Sequence, residues 1–282
     1  MTAPILRSRA ELRSTTRAWS LAGETIGVVP TMGALHEGHL SLVQAAKQTC
    51  DRVIVTIFVN PRQFGSPEDL ANYPRTETSD AAKLARFDVD AIYVPDGGEM
   101  YPDGFATTVS VAGLTEVMDG IHRPGHFEGV ATVVAKLFAQ TSATDAFFGE
   151  KDFQQLQVVR RMARDLDIGV TVHGCPTIRE IDGLAMSSRN LLLSDRARVT
   201  APALLEQMHA LASAATNGGD FAVAQTAAMR ALERAGFTGI DYLEMRANDD
   251  LSPLTTPTRP ARLFAAAWLA GVRLIDNIAV EG

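Results

Sequence analysis

A chain of 282 residues, 46% hydrophobic and 21% charged, has the make-up of an ordinary globular protein with room for a substantial core. A formal net charge of −7 argues against non-specific binding to nucleic acid or acidic membranes, and the longest apolar run, around Leu263 to Val272, is too short to span a bilayer. Cys50 and Cys175 form no CxxC pair, and Met1 to Leu21 lacks the apolar core of a signal peptide, so a disulfide scaffold and a zinc site are disfavoured and a reducing, cytoplasmic setting is expected.

Ile26 to Val29 is a short apolar run closed by Pro30 and Gly33, the pattern of a buried strand stopping at a turn. A helix is predicted over His39 to Gln48, with Leu40, Val43 and Ala46 on one side. Val53 to Val59 is β-branched and apolar almost throughout, as in a strand covered on both faces. Further strands are predicted at Ala91 to Val94, Asp145 to Phe148 and Val170 to Val172. Helices fall between them, over Phe127 to Gln140 and from Asp152 through Leu166. Strands alternating with helices imply right-handed crossovers and a mainly parallel sheet, with ligands beyond the carboxyl ends of its strands.

After Ile178 the character changes to a smaller α+β domain. Asp182-Gly183 is a turn, Ser194 caps a helix entering Arg196 to Ala214, and a second helix runs from Phe221 to Ala235 after the loop Asn217 to Asp220. Tyr242 to Arg246 and Ala261 to Ile275 are predicted strands, separated by the Pro/Thr-rich stretch Leu251 to Pro260. The fold class is α/β.

Pro30-Thr31-Met32-Gly33-Ala34-Leu35-His36-Glu37-Gly38-His39 sits where the first predicted strand turns into a helix. On an opening helix His36 and His39 share a face, and the helix N-terminus offers N–H groups and partial positive charge to a phosphate. Taken alone, the HxxH spacing reads equally as a metal pair or two structural histidines; the apolar strand before it and the glycines around it favour phosphate. In Gly149-Glu150-Lys151-Asp152-Phe153-Gln154-Gln155, Lys151 suits pyrophosphate and Asp152 a ribose hydroxyl or a helix cap, although an ordinary surface loop reads the same way. Met186-Ser187-Ser188-Arg189-Asn190 holds two hydroxyls and a guanidinium able to grip a triphosphate, or is a capped surface loop.

Asn60 and Gln63, at the exit of the second strand, are neutral groups able to bind a small polar substrate, or form a plain turn. His122-Arg123-Pro124-Gly125-His126 adds polar groups ahead of a helix. No P-loop, nucleophile elbow or GxGxxG motif occurs, which favours adenylyl transfer over γ-phosphoryl transfer, serine hydrolysis or dinucleotide redox chemistry.

Taken in order, PTMGALHEGH at 30–39, FVNPRQF at 58–64, YPRT at 73–76, RPGHFEGV at 123–130, GEKDFQQL at 149–156, DGLAMSSRN at 182–190 and RLIDN at 273–277 resemble the pantothenate synthetase (pantoate–β-alanine ligase) family over essentially the whole chain. The His36-x-Gly38-His39 and Met186-Ser187-Ser188-Arg189 segments also resemble the HIGH and KMSKS signatures of the wider nucleotidyltransferase superfamily.

The resemblance implies a Rossmann-like ATP- and pantoate-binding domain over 1–177, a C-terminal lid domain over 178–282, and a homodimer with no nucleic-acid or membrane partner. It implies ATP-dependent joining of pantoate to β-alanine through a pantoyl-adenylate, with Mg²⁺, releasing AMP and pyrophosphate. By matching position, Met32, Gly33, Ala34, Leu35, His36, Glu37, Gly38 and His39 line the ATP site, with both histidines on the phosphates and His39 as proton donor. Gly149, Glu150, Lys151 and Asp152 contact ribose and phosphates, Ile178 the adenine, and Met186, Ser187, Ser188 and Arg189 complete the nucleotide site. Gln63 and Gln155 hold pantoate, with Pro30, Met32, Asn60, Arg123 and His126 also around the acid and the amine. Where family members often carry adjacent acidic residues after YPRT, this chain has Ser79 beside Asp80, so Asp80 is the implied metal ligand. The alternatives are another nucleotidyltransferase of the superfamily, or a non-catalytic nucleotide-binding regulator.

Overall fold

The computed structural model describes residues 3–281; residues 1, 2 and 282, at the outer ends of the two expected domain spans, lie outside it. The chain divides into two compact units: residues up to Glu150 with Gln154–Pro176, and Lys151–Phe153 with the residues from Thr177 onward.

The first unit is built on a six-stranded sheet. Its strands are β1 (Ile5–Leu6), β2 (Ile26–Thr31), β3 (Arg52–Ile57), β4 (Ala91–Tyr93), β5 (Asp145–Gly149) and β6 (Thr171–Cys175), in the order β1-β4-β3-β2-β5-β6. Every pairing is parallel. Val28 with Val29, and Val53 through Val55, are fully buried although neighbours on a strand point to opposite faces. Both faces are therefore covered, which is why these strands read as continuous apolar runs.

The helices of this unit are α1 (Arg9–Leu21), α2 (Glu37–Thr49), α3 (Pro67–Asn72), α4 (Glu77–Leu84), α5 (Gly97–Met100), α6 (Asp119–His122), α7 (His126–Thr141) and α8 (Phe153–Asp165), whose first residue clusters with the second unit. Helix α1 has no counterpart among the predicted elements. It is set by a capping box between Ser8 and Glu11 and buries only Leu12 and Thr16, too thin a stripe to show as periodicity. The strand order reverses between β2 and β5, the switch point at which open α/β sheets bind ligands.

In the second unit, α9 (Asp195–Thr200), α10 (Ala203–Thr216) and α11 (Phe221–Ala235) accompany β7 (Phe237–Ala247), β8 (Pro253–Leu254), β9 (Ala261–Leu269) and β10 (Val272–Val280). The sheet is antiparallel, in the order β10-β9-β7-β8. Two predicted elements are corrected. The helix expected over Arg196 to Ala214 is two helices that break at Pro202, which has no N–H to donate. The strand expected over Ala261 to Ile275 is a hairpin turning at Ala270 and Gly271, with φ of 50° and 79°. Two consecutive positive φ values are what a two-residue hairpin turn requires. Among the described residues, no helix is long and apolar enough to cross a membrane.

Candidate active site

Strand β2 delivers the chain to a tight turn that is held from several sides. Thr31 donates its hydroxyl to the Thr56 carbonyl at 2.7 Å and accepts from the Gly33 N–H at 3.2 Å. Gly33 and Ala34 both lie in the left-handed region, with φ of 86° and 51°. Ala34 is strained there by roughly 1–2 kcal/mol, so the surroundings must hold it.

Asp80 of α4 is that hold. Its carboxylate is fully buried and accepts the Leu35 N–H at 2.9 Å on one oxygen and the Ala34 N–H at 2.9 Å on the other. The Thr76 hydroxyl also donates to that second oxygen at 2.9 Å, and Lys83 donates to the Leu35 carbonyl at 2.6 Å. Asp80 thus accepts three hydrogen bonds that brace the turn, out of reach of solvent. Among the described residues there is no group of three or more His, Cys, Asp or Glu that could hold a metal.

Past this turn, His36 is the cap of α2. Its Nδ1 accepts the Gly38 N–H at 3.2 Å, while His39 Nδ1 accepts the His36 N–H at 3.4 Å. The rings lie 4.1 Å apart between centroids. Because a backbone N–H can only donate, both Nδ1 atoms are acceptors, and each neutral ring carries its proton on Nε2. Two Nε2–H donors beside a helix N-terminus suit phosphate oxygens. Glu37 is exposed and its carboxylate meets Arg86 at 2.8 Å, so only its backbone belongs to this arrangement.

Strand β3 delivers Asn60 and Gln63. Asn60 is buried; its Nδ2 donates to Gln63 Oε1 at 2.9 Å and to the Gly129 carbonyl at 3.1 Å. Gln63 Nε2 reaches the Met32 sulfur at 3.0 Å, joining this loop to the histidine turn. Arg123 and His126 bear on the backbone of Gln63. Arg123 can only donate, so its 3.1 Å contact makes His126 Nε2 an acceptor, and Nδ1–H donates to the Gln63 carbonyl at 3.0 Å. Gly129 brings α7 against the loop: a Cβ there would lie 2.2 Å from the Arg62 carbonyl oxygen.

Pro30 pairs with Thr56 within the sheet, and Gly149 ends β5 opposite Cys175. Of the adjacent glutamines, Gln154 is buried and tied to Leu114, Val117 and Asp119, whereas Gln155 is half-buried on α8. Glu150 leads from β5 into a short 3₁₀ turn, Glu150–Asp152.

In the second unit, the Lys151 carbonyl accepts from Asn277 Nδ2 at 2.9 Å, and its ammonium lies 3.8 Å from Asp152. Ile178 and Met186 are joined by a backbone bond of 3.0 Å, and Ser187 caps the turn Ser188–Leu192 by accepting the Arg189 N–H at 3.2 Å. Arg179 anchors the segment. It donates to both oxygens of buried Asp276, at 2.6 and 2.9 Å, and to the Gly183 carbonyl at 3.0 Å. Gly129 and Arg179 carry no local signal of these roles, since their decisive partners, Arg62 and Asp276, lie far away in the chain.

The family model for pantoate-beta-alanine ligase matches residues 4–279. The chain belongs to the pantoate–β-alanine ligase family. Its activity is that of the family, the ligation of pantoate to β-alanine. It is 69% identical over 280 residues to a pantothenate synthetase of Roseobacter denitrificans, covering 99% of both chains. Among solved structures it is similar to a pantothenate synthetase of Thermus thermophilus, at 46% identity and a TM-score of 0.92 over 99% of this chain and 100% of that one. It is also similar to the pantoate-beta-alanine ligase of Francisella tularensis, at 33% identity and a TM-score of 0.84 over 99% and 98%. Both the six-stranded parallel sheet and the smaller antiparallel sheet fit this ligase fold.

Proposed function

We propose that this ligase activates pantoate as its adenylate with ATP and then passes the pantoyl group to the amine of β-alanine. A carboxylate oxygen attacks the α-phosphorus, the bond to the β-phosphate oxygen breaks, and pyrophosphate leaves. The amine nitrogen then attacks the acyl carbon, loses a proton, and AMP leaves. The Francisella tularensis ligase, solved with β,γ-ATP and β-alanine, supports ATP and β-alanine as ligands.

The observation that carries the reading is the reciprocal histidine cap on α2, joined to the Gln63 loop through Met32. Two phosphate-directed Nε2–H donors beside an amide suited to a small acid are what an attack between two anions needs. Lys151, Ser187, Ser188 and Arg189 add donors for the triphosphate, Asp152 for the ribose, and Ile178 an apolar face for the adenine. Gln63 and Gln155 hold pantoate by its hydroxyls and carboxylate, with Asn60, Arg123 and His126 fixing Gln63. Mg²⁺ enters as part of the substrate, chelated chiefly by the ATP phosphates. Two buried cysteines without a disulfide fit a cytoplasmic enzyme, and the family resemblance supports a homodimer.

The test is release of pyrophosphate and AMP from ATP with D-pantoate, with and without β-alanine. Multiple turnovers only when β-alanine is present support the two-step ligase. A folded, ATP-binding protein that releases no pyrophosphate with pantoate would remove the substrate assignment.

A further inference from the structure

Behind Asn60 and Gln63 lies a phenol that no site residue accounts for. The Tyr101 hydroxyl donates to Asn60 Oδ1 at 2.8 Å. Its ring is packed by Phe58 and Phe105, with centroids at 6.1 and 5.1 Å, and the Arg62 guanidinium lies 5.5 Å from the ring centre. The Lys136 ammonium stands 5.9 Å from the same ring. Burial pushes the phenol up to about 12, so the hydroxyl keeps its proton through the physiological range.

The bonds form a directed relay. Asn60 Oδ1 receives Tyr101 O–H and, at 3.3 Å, the Arg62 N–H; Asn60 Nδ2 then donates to the Gly129 carbonyl and to Gln63 Oε1. Gly129 offers only an acceptor and Arg62 only a donor, so the Asn60 amide has one orientation. Gln63 Oε1 is thereby turned toward Asn60, and the group left to face a ligand is Nε2, now resting on the Met32 sulfur. Of the two donors on Asn60 Oδ1, the hydroxyl is the shorter and the only one from a side chain.

We infer that Tyr101 is a positioning residue for acid recognition: its hydroxyl holds in place the Asn60 amide, whose orientation the Gly129 carbonyl and the Arg62 N–H set, and so steadies Gln63 with an amide N–H toward the oxygens of the carboxylic-acid substrate. This rests on the reading that Gln63 contacts pantoate. The device selects ligands that present acceptor oxygens, a carboxylate or a hydroxyl, at that point. Hydrogen bonds in series polarise one another, so loss of the first loosens the last.

The experiment compares steady-state kinetics of Tyr101→Phe, Gln63→Ala and the double variant with the parent enzyme. Tyr101→Phe keeps the ring between Phe58 and Phe105 and removes only the hydroxyl. It is expected to lower kcat/KM for pantoate about fivefold to tenfold, mainly through KM, with KM for ATP changed less than about twofold. In the Gln63→Ala background the same change should add less than about twofold, because the relay no longer has an end. An unchanged pantoate KM in Tyr101→Phe, or an equal loss in both backgrounds, overturns the inference while Gln63 keeps its role. If Gln63→Ala alone leaves pantoate use unchanged, the reading beneath it fails and the inference goes with it.

Discussion

His36 and His39 cap one helix end reciprocally: His36 Nδ1 accepts the Gly38 N–H at 3.2 Å, and the His36 N–H is accepted by His39 Nδ1 at 3.4 Å. The same bonds that satisfy the opening turn of α2 also fix the tautomer of both rings. Each Nε2 carries a hydrogen because each Nδ1 has a backbone donor aimed at it. Capping and catalysis are therefore carried by opposite edges of the same two rings, and substitutions can separate them.

His36→Asn replaces one good helix cap by another and removes the Nε2–H donor. Stability to urea should change by less than about 0.5 kcal/mol, whereas His36→Ala should lose about 1 kcal/mol. Adenylate formation should fall by about 10²–10³ in both, the usual effect of losing one preorganised donor to a charged transition state. Pyrophosphate release alongside urea unfolding reads the two effects; near-parental turnover in His36→Asn would take His36 out of the chemistry.

With three accepted hydrogen bonds bracing the turn, Asp80 is proposed to serve the turn rather than a metal. Asp80→Asn turns an N–H₂ group toward the Ala34 or Leu35 N–H and should cost about 1–3 kcal/mol of stability, since a buried donor is left without an acceptor. The Mg²⁺ concentration for half-maximal activity should stay within about threefold of the parent value. A shift of tenfold or more, equivalent to about 1.4 kcal/mol of lost metal affinity, would return Asp80 to the metal.

Gly129 sets how closely α7 approaches the Gln63 loop. An added Cβ would lie 2.2 Å from the Arg62 carbonyl oxygen and 2.8 Å from the Gln63 nitrogen, both backbone atoms that cannot swing aside. Gly129→Ala should therefore lower stability by about 1–3 kcal/mol, the cost of overpacking, and weaken pantoate use more than ATP use. Equal kinetic constants for both substrates, in a variant with parental stability, would contradict the geometry.

Alkaline stability follows from two buried acids, Cys50 and Tyr93, and the half-buried Tyr101. The Cys50 thiol is pushed up to about 12 by burial, reinforced by the Asp145 carboxylate, and burial likewise pushes Tyr93 and Tyr101 up to about 12. In the unfolded chain these groups release their protons near pH 8.5 for cysteine and about 10 for tyrosine. Between about pH 9 and 12 the unfolded state therefore binds fewer protons than the native one, and stability falls as pH rises; below about pH 8 both states are protonated and the full stability is present. Urea unfolding at pH 8 and pH 11 should show the loss, and Cys50→Ala should reduce it. A flat profile would mean that these groups are not shielded as the packing indicates.

The α/β class was legible because two-sided burial writes itself into β2 and β3 as β-branched runs, and because their exits carry glycine, proline and polar residues in short clusters. Helix α11 was legible as an alanine-rich run after the Asn217–Asp220 loop; Asp220 caps it and Gly236 closes it in a left-handed conformation. The break at Pro202 was visible in the letters but was outvoted by the helical pattern on either side. At Ala270 and Gly271 a lone glycine inside an apolar run hid a turn whose first residue is an unusual alanine. The partnership of Asp80 with Ala34 and Leu35 spans 45–46 residues, and that of Tyr101 with Asn60 spans 41. Contacts at such separations leave no periodicity behind, so a buried brace and a metal ligand look alike until the chain is folded.

The central claim is that the pantoate carboxylate itself attacks the α-phosphorus of ATP. Turnover with pantoate carrying oxygen-18 in its carboxylate, followed by mass analysis of the released AMP, tests it most directly. The account predicts one labelled oxygen in the phosphate of AMP, carried there when the amine of β-alanine displaces AMP from the pantoyl-adenylate. Unlabelled AMP, with the displaced isotope in inorganic phosphate or in water, would contradict it.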